Sequence, residues 1–368
     1  MRRLSFFLFL LALAGRTQNA PAPAPIVSPE VLSDHRVTFR FRAPNASEVL
    51  LALEGAKRAA MEKDGQGVWS VTTAPLDPDY YAYTFVVDGV ALTDPMNPMT
   101  RPSLLNTQSV VHVPGPASLP WETKSVPHGA IHHHFYQSQV AGDERDFYVY
   151  TPPGYEARGS RLYPVLYLQH GYSGDAGGWL EGAPANVILD NLIAEGKAKP
   201  MLLVMPLGYG VPGIVQRSGP DLGLLKQNYD RFRDALLSEV IPEVERNYRA
   251  ARDRDSRALT GLSMGGTESL YVGLNAVSRF AWIGSFSAGG MLEDYDAAFP
   301  ALDSRVNSKL RLLWIACGTE DQLIENNRKF REWLASKGVK FTAVETPGMH
   351  TWMVWRRNLA AFGPLLFR

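Results

Sequence analysis

The chain of 368 residues carries 37 basic and 37 acidic side chains, and 45% of its residues are hydrophobic. The balanced charge argues against nucleic acid or an anionic membrane as the main partner, and the hydrophobic content excludes global disorder. The length predicts two domains, or one large domain with an appendage.

The first residues have the pattern of a bacterial export signal. A basic start, Met1-Arg2-Arg3, precedes an apolar run at residues 6–14 that is too short to span a bilayer comfortably. Small residues follow, so we expect cleavage after Ala14 or Ala20 and take residues 1–20 as the signal peptide. The alternative is an uncleaved anchor or a buried helix. The pattern predicts a secreted or periplasmic protein with no membrane span after signal cleavage.

An Ala/Pro spacer at residues 21–26 leads into a segment, 27–113, whose pattern is all-β. Short runs of alternating or apolar residues are separated by turn residues, as expected for an immunoglobulin-like β-sandwich. The predicted strands are 36–41, 49–53, 67–72, 80–87 and 90–92.

Three motifs connect this segment with a known family. They are Gly67-Val68-Trp69, the run from Tyr81 to Gly89, and Asp94-Pro95-x-Asn97-Pro98, which follow Ala43-Pro44-Asn45-Ala46. Together they resemble the immunoglobulin-like domain of carbohydrate-binding module family 48. The resemblance does not imply glycan binding, because Trp69 and the tyrosines can be core residues or a sugar platform.

A proline-rich linker is predicted at residues 114–127, and the pattern changes from residue 128 to residue 368. Apolar strands alternate there with helices, which indicates a doubly wound, mostly parallel α/β sheet. The predicted strands are 145–150, 165–169, 201–205, 256–259, 282–287, 312–316 and 340–344, and the helices are 187–196, 229–248 and 327–336.

The segment Gly261-Leu262-Ser263-Met264-Gly265 places one serine between two glycines, after an apolar run and before a helical pattern. This G-x-S-x-G pattern is typical of the strand-to-helix turn that exposes the nucleophile of an α/β-hydrolase. Ser263 is therefore the candidate nucleophile.

A serine nucleophile requires a base and an acid, which α/β-hydrolases supply later in the chain, with the acid before the histidine. His350 is the only histidine after Ser263 and is the candidate base. Asp321 and Glu320 follow the strand-like run at 312–316, and both can be the acid. We favour Asp321, because Gly-x-x-Asp leaves room for the loop to turn toward the histidine.

The transition state of ester hydrolysis also requires two N–H groups that bind the oxyanion. The first is expected from Met264, which follows the nucleophile. The second is expected from Tyr172, in the loop His170-Gly171-Tyr172 after an early strand. His170 is interpreted as a residue that positions this loop, and not as a second base.

These segments, in this order, resemble the esterase-D-like enzymes of carbohydrate esterase family 1, which include feruloyl and acetyl-xylan esterases. The matching motifs are Tyr150-Thr151-Pro152-Pro153-Gly154-Tyr155, His170-Gly171, Gly261-Leu262-Ser263-Met264-Gly265-Gly266, Cys317-Gly318-Thr319-Glu320-Asp321 and His350-Thr351-Trp352-x-x-Trp355. The resemblance implies an α/β-hydrolase fold with Ser263 as nucleophile, Asp321 as acid and His350 as base. Met349 departs from the pattern, because a second glycine is expected after Gly348.

Three further features of the sequence have a functional and a structural interpretation. Trp352 and Trp355 either line an aromatic acyl pocket or belong to the core. The lone cysteine, Cys317, lies in an apolar run and is interpreted as a buried strand residue. His132-His133-His134 does not predict a metal site, because adjacent strand residues point to opposite faces and no acidic or cysteine partner is near in sequence.

The sequence therefore predicts a secreted serine esterase that needs no cofactor or metal. The favoured substrate is a feruloyl or acetyl ester on a plant-wall polysaccharide such as xylan. A siderophore lactone is the second candidate, and acyl transfer of the mycolyl-transfer type, on the same fold, is the third.

Overall fold

The computed structural model describes residues 25–116, 118–290 and 292–368. The predicted signal peptide and most of the predicted spacer lie outside the described residues. Across the three described ranges, no helix is both long and apolar enough to cross a membrane.

The first domain is built from two antiparallel sheets that face each other. Its strands are β1 Glu30–Val31, β2 Val37–Arg42, β3 Val49–Leu53, β4 Ala59–Ala60, β5 Glu62–Lys63, β6 Val68–Thr72, β7 Asp79–Val87, β8 Val90–Leu92, β9 Thr100–Pro102 and β10 Thr107–Val113. One sheet has the order β1-β2-β6-β5, and the other has the order β4-β3-β7-β10-β9, with β8 paired to β7. Alternate side chains of both sheets point inward, as the period-two pattern predicts.

The core of this sandwich contains Phe39, Tyr83 and Phe85, all fully buried. Trp69 is only 8% exposed, and its Nε1–H donates to the carbonyl oxygen of Ala43 at 2.9 Å. Trp69 is therefore a core residue of the sandwich and does not present an open face to a sugar.

The second domain is an eight-stranded sheet with helices on both faces. Its strands are β11 Ala130–Gln137, β12 Glu144–Thr151, β13 Val165–Gln169, β14 Leu202–Pro206, β15 Arg257–Gly261, β16 Trp282–Phe286, β17 Leu312–Gly318 and β18 Thr342–Thr346. Its helices are α1 Gly178–Gly182, α2 Ala185–Ala194, α3 Leu225–Ala235, α4 Ile241–Asn247, α5 Met264–Asn275, α6 Tyr295–Ala298, α7 Ile324–Ser336 and α8 Trp352–Phe362.

The strand order is β11-β12-β14-β13-β15-β16-β17-β18. The first two pairings are antiparallel, and every pairing from β14 to β18 is parallel. Helices α3, α4, α5 and α7 pack on one face, and α1, α2 and α8 pack on the other. The predicted fold class, a mostly parallel doubly wound sheet preceded by a sandwich, is confirmed.

One predicted helix needs correction. In place of a single helix over residues 229–248, α3 begins at Leu225, a π-helical turn occupies Leu236–Val240, and α4 follows from Ile241. Pro242 has no N–H to donate and lies in the first turn of α4. In a regular α-helix, the missing N–H of the proline would remove one backbone hydrogen bond. The π-helical turn before Pro242 lets the chain continue in a helical path into α4.

The two domains are joined by buried polar contacts. Asp79 of β7 and Arg356 of α8 are both fully buried and form an ion pair. The predicted linker packs against α2, where Asn191 Nδ2 donates to the carbonyl oxygens of Pro120 and Glu122 at 2.7 and 2.8 Å. The sandwich is therefore docked against the second domain.

Candidate active site

The turn after β15 holds Ser263 in a strained conformation. Its φ and ψ are 52° and −121°, a region that side-chain-bearing residues rarely adopt. A Cβ at Gly261 would lie 2.5 Å from the carbonyl oxygen of Gly265, and a Cβ at Gly265 would lie 2.2 Å from that of His170. Both glycines of the motif are therefore required by close backbone approach, as the G-x-S-x-G pattern predicts.

Three side chains form a continuous hydrogen-bond chain at the carboxyl edge of the sheet. Ser263 Oγ lies 3.0 Å from Nε2 of His350, and Nδ1 of His350 lies 2.8 Å from Oδ2 of Asp321. His350 lies in the loop between β18 and α8, and Asp321 lies in the loop after β17. With its proton on Nδ1, the imidazole can accept the serine proton at Nε2.

The structure distinguishes the two acid candidates. Asp321 is 1% exposed, and its Oδ1 accepts the N–H of Leu323 at 2.8 Å, whereas Glu320 points into solvent. Burial raises the pKa of Asp321, but the hydrogen bond and charge of His350 and the Leu323 N–H outweigh it and hold the pKa below its ordinary value. The Asp321 carboxylate is therefore ionised beside the imidazole.

The two predicted oxyanion donors flank the serine turn. Within the described ranges, the N–H groups of Tyr172 and Met264 donate to no other group of the protein. A Cβ at Gly171 would lie 3.1 Å from Cβ of Ser263, so the Tyr172 loop runs directly beside the turn. Two unengaged N–H groups next to a serine hydroxyl are suited to bind a developing oxyanion.

His170 links this loop to the loop that contains Gly208. It is 1% exposed, its Nδ1 lies 2.8 Å from the carbonyl oxygen of Gly171, and its Nε2 accepts the N–H of Gly208 at 2.8 Å. Burial lowers its pKa, which favours the neutral ring with the proton on Nδ1. Both nitrogens are engaged in linking two loops, which agrees with a positioning role.

The aromatic pair lines the cleft beside the triad. The Trp355 ring is 4.8 Å from the His350 ring, edge to face, and the Trp352 ring is 5.3 Å from the Trp355 ring. Trp355 is only 6% exposed, whereas Trp352 is half-buried. Both border a cleft of about 230 Å³ that also contains Ser263 and His350. The two tryptophans therefore have both of the predicted properties: their rings pack against neighbouring side chains, and they also border the cleft.

One wall of the cleft comes from the sandwich, which the sequence did not predict. This wall consists of Arg101, Pro102, Ser103, Asn106 and Gln108, from β9, β10 and the loop between them. These residues precede the triad by more than 150 positions and form no motif. Only the docking of the domains brings them to the site.

The remaining candidates lie elsewhere. Cys317 is 2% exposed, and burial raises its pKa to about 12, so the thiol is inert. His133 pairs with Asp146 at 2.7 Å, and His134 contacts the Tyr248 hydroxyl. Within the described part of the chain, no three His, Cys, Asp or Glu side chains are grouped to hold a metal ion.

Known proteins are similar to this chain in sequence and in fold. The Esterase family model matches residues 138–365. An endo-1,4-beta-xylanase/feruloyl esterase from Xylanibacter ruminicola is 30% identical over 92% of this chain and 46% of its own length. An esterase from Mycobacterium tuberculosis is 26% identical over 58% of this chain and 54% of its own length. The chain thus spans about half the length of these curated relatives.

Two solved structures extend the comparison. A CE1 ferulic acid esterase from Anaeromyces mucronatus has a TM-score of 0.60 at 25% identity, over 69% of this chain and 96% of its own. The enterobactin esterase of Shigella flexneri has a TM-score of 0.65 at 18% identity, over 90% of this chain and 92% of its own, and shows likeness of fold alone. Since the family model covers more than half of its length, the chain belongs to the esterase family, and the predicted resemblance is confirmed.

Proposed function

We propose that the protein is a serine carboxylic ester hydrolase in which Ser263, His350 and Asp321 form the catalytic triad. The observation that carries the proposal is the hydrogen-bond chain from Ser263 Oγ through His350 to Asp321, at 3.0 and 2.8 Å. Membership in the esterase family supports the same reaction class.

The reaction follows from the positions of these groups. His350 Nε2 takes the proton of Ser263 as the serine oxygen attacks the ester carbonyl, and Asp321 stabilises the imidazolium that forms. The N–H groups of Tyr172 and Met264 bind the oxyanion. His350 then donates its proton to the leaving alcohol, and water, activated by the same imidazole, hydrolyses the acyl-enzyme. No step requires a cofactor.

The substrate that we propose is a hydroxycinnamoyl ester on a plant-wall polysaccharide. An apolar cavity of roughly 150 Å³ holds benzene, so a cleft of about 230 Å³ bordered by Trp352 and Trp355 takes one aromatic ring with its substituents. A polysaccharide would stay outside it. The Xylanibacter relative is named as a xylanase and feruloyl esterase, which supports this class. Such a substrate requires export, for which residues 1–20 carry the predicted signal.

The experiment is a panel assay on the purified protein. Methyl ferulate, feruloylated arabinoxylan, an acetylated xylan and a catecholate lactone are compared, with and without an added sugar acceptor. We expect release of ferulate at the highest kcat/KM. Faster cleavage of the lactone, or transfer of the acyl group to the sugar, would favour the second or third candidate function.

A matched pair of variants tests the nucleophile in the same assay. Ser263→Ala should lose all measurable turnover and keep the fold, whereas Ser336→Ala, at an exposed position, should be unchanged. Turnover that survives in Ser263→Ala would refute the proposed triad.

A further inference from the structure

The sandwich wall of the cleft presents hydrogen-bond donors. Gln108 Oε1 accepts an N–H of Arg101 at 2.8 Å, and Asn106 Oδ1 accepts the Ser103 hydroxyl at 3.0 Å. Each amide oxygen is therefore engaged within the wall, while neither amide NH₂ donates to another group of the described residues. Both side chains border the cleft, so what they offer to an occupant is N–H donors.

The wall is fixed to the hydrolase domain at both of its ends. Glu54 accepts the N–H of Trp352 at 2.9 Å and pairs with Arg101 at 3.4 Å. The guanidinium of Arg101 lies over the Trp352 ring, 5.6 Å from its centroid. At the other end, the Leu104 N–H donates to the carbonyl oxygen of Ser173 at 2.8 Å. The donors are thus held in a set position beside the aromatic side of the cleft.

We propose that Asn106 and Gln108 form a subsite that binds the oxygen substituents on the ring of an aromatic acyl group, while the ring itself packs on Trp352. This inference rests on the proposed esterase function and adds specificity-determining residues from the sandwich. Methoxyl oxygens only accept hydrogen bonds, and a wall that offers donors complements them. A sugar chain presents hydroxyl donors as well as acceptors, so a wall that offers only donors satisfies it less completely.

The test uses substitutions that keep the bonds inside the wall. Gln108→Glu and Asn106→Asp retain the acceptor oxygens that Arg101 and Ser103 use, but replace the NH₂ donors with a second acceptor. Gln66→Glu is the control, because it makes the same change at an exposed turn of the sandwich outside the cleft.

The substrates are methyl 3,4-dimethoxycinnamate and methyl cinnamate, which share one leaving group and differ only in ring oxygens that accept hydrogen bonds. The dimethoxycinnamate to cinnamate ratio of kcat/KM should fall about 3- to 10-fold in each cleft variant, the value of one lost hydrogen bond. The Gln66→Glu control should leave the ratio unchanged, because Gln66 lies at an exposed turn outside the cleft.

The outcomes separate this inference from the proposed function. An unchanged ratio in an active Gln108→Glu and Asn106→Asp protein overturns the subsite and leaves the esterase intact. A loss that appears only when a feruloylated arabinose replaces the methyl ester assigns the wall to the alcohol and also overturns the inference. Calorimetry of free 3,4-dimethoxycinnamate and cinnamate on Ser263→Ala protein supplies a readout without turnover, and equal affinities would contradict the subsite.

Discussion

At the scale of single residues, the triad depends on which side chain holds the imidazole. Asp321 is buried and bonded on both carboxylate oxygens, whereas Glu320, one residue earlier, faces solvent. The same loop thus contains the proposed acid, Asp321, and an exposed carboxylate, Glu320, with which it can be compared.

We predict that Asp321→Asn lowers kcat about 10³- to 10⁴-fold, because the amide favours the wrong imidazole tautomer and cannot stabilise the imidazolium. Glu320→Gln should keep kcat within about twofold. Steady-state kinetics on methyl ferulate measures both. A larger loss in Glu320→Gln than in Asp321→Asn would reverse the assignment of the acid.

A second residue-scale prediction concerns His170, whose burial lowers its pKa. The unfolded chain then binds a proton more readily than the folded protein, so folding stability falls as pH drops below the ordinary histidine value of about 6.5 and recovers above it. Urea unfolding between about pH 7 and pH 5 should show this loss in the wild type and a smaller loss in His170→Ala. His132→Ala, at an exposed position, should follow the wild type. Identical pH slopes in wild type and His170→Ala would refute the prediction.

The sequence predicted the three candidate triad residues because each carries a local signal. Ser263 lies in a motif, His350 is the only histidine after it, and Asp321 follows a predicted strand. Asn106 and Gln108 carry no such signal, because ordinary polar residues of a β-hairpin reach the cleft only through the docking of two domains.

At the scale of elements, the turn between β15 and α5 determines whether the serine is exposed. It passes so close to the loop of His170 that no side chain fits at Gly265. Because Gly265 lies in the first turn of α5, the shape of the serine turn and the packing of α5 against the His170 loop depend on the same glycine.

We predict that Gly265→Ala abolishes turnover and destabilises the fold by about 3 kcal/mol, because its Cβ would meet a backbone oxygen that cannot move freely. Gly65→Ala is the control, since no atom lies within 4 Å of the Cβ that it adds. Thermal unfolding and ester hydrolysis measure the two effects. Full activity in Gly265→Ala would show that the loops can separate at little cost.

Most strands of both domains could be predicted to within about two residues, because alternation and apolar runs are local properties. Strands β1, β4, β5, β9, β10 and β11 were not predicted. Two helical features were not predicted either. The π-helical turn before Pro242 depends both on the missing N–H of the proline and on the packing of α3 and α4 against the sheet, and the second is not a local property of the sequence. Helix α8, which begins at Trp352, directly follows a Gly-Pro loop, and its aromatic residues were ambiguous between core and pocket.

At the scale of the whole molecule, the domains are coupled through charge buried between them. Asp79 and Arg356 have no exposed surface, and burial lowers the pKa of Arg356 to about 10. Each charge is tolerated in this buried place only because its partner is present, so removal of one partner leaves the other charge uncompensated at the domain interface.

We predict that Asp79→Asn destabilises the protein by about 3–5 kcal/mol, since it leaves the Arg356 charge buried and unpaired. Asp34→Asn, which breaks the exposed pair with Arg36, should cost less than about 1 kcal/mol. Denaturant unfolding followed by both fluorescence and activity measures the change. Equal costs for the two variants would show that the domain interface is open to water.

The contribution of the sandwich to the cleft limits how freely the two domains can be exchanged between enzymes. A binding module on a flexible tether can be exchanged among enzymes without altering what they cleave. Here an exchange of the whole sandwich would also exchange Asn106 and Gln108, and with them the proposed contribution to selectivity. Removal of the sandwich would take away the contacts of Trp352 with Glu54 and Arg101. The two halves should consequently be transferred as one unit when this scaffold is recombined with polysaccharide-degrading partners.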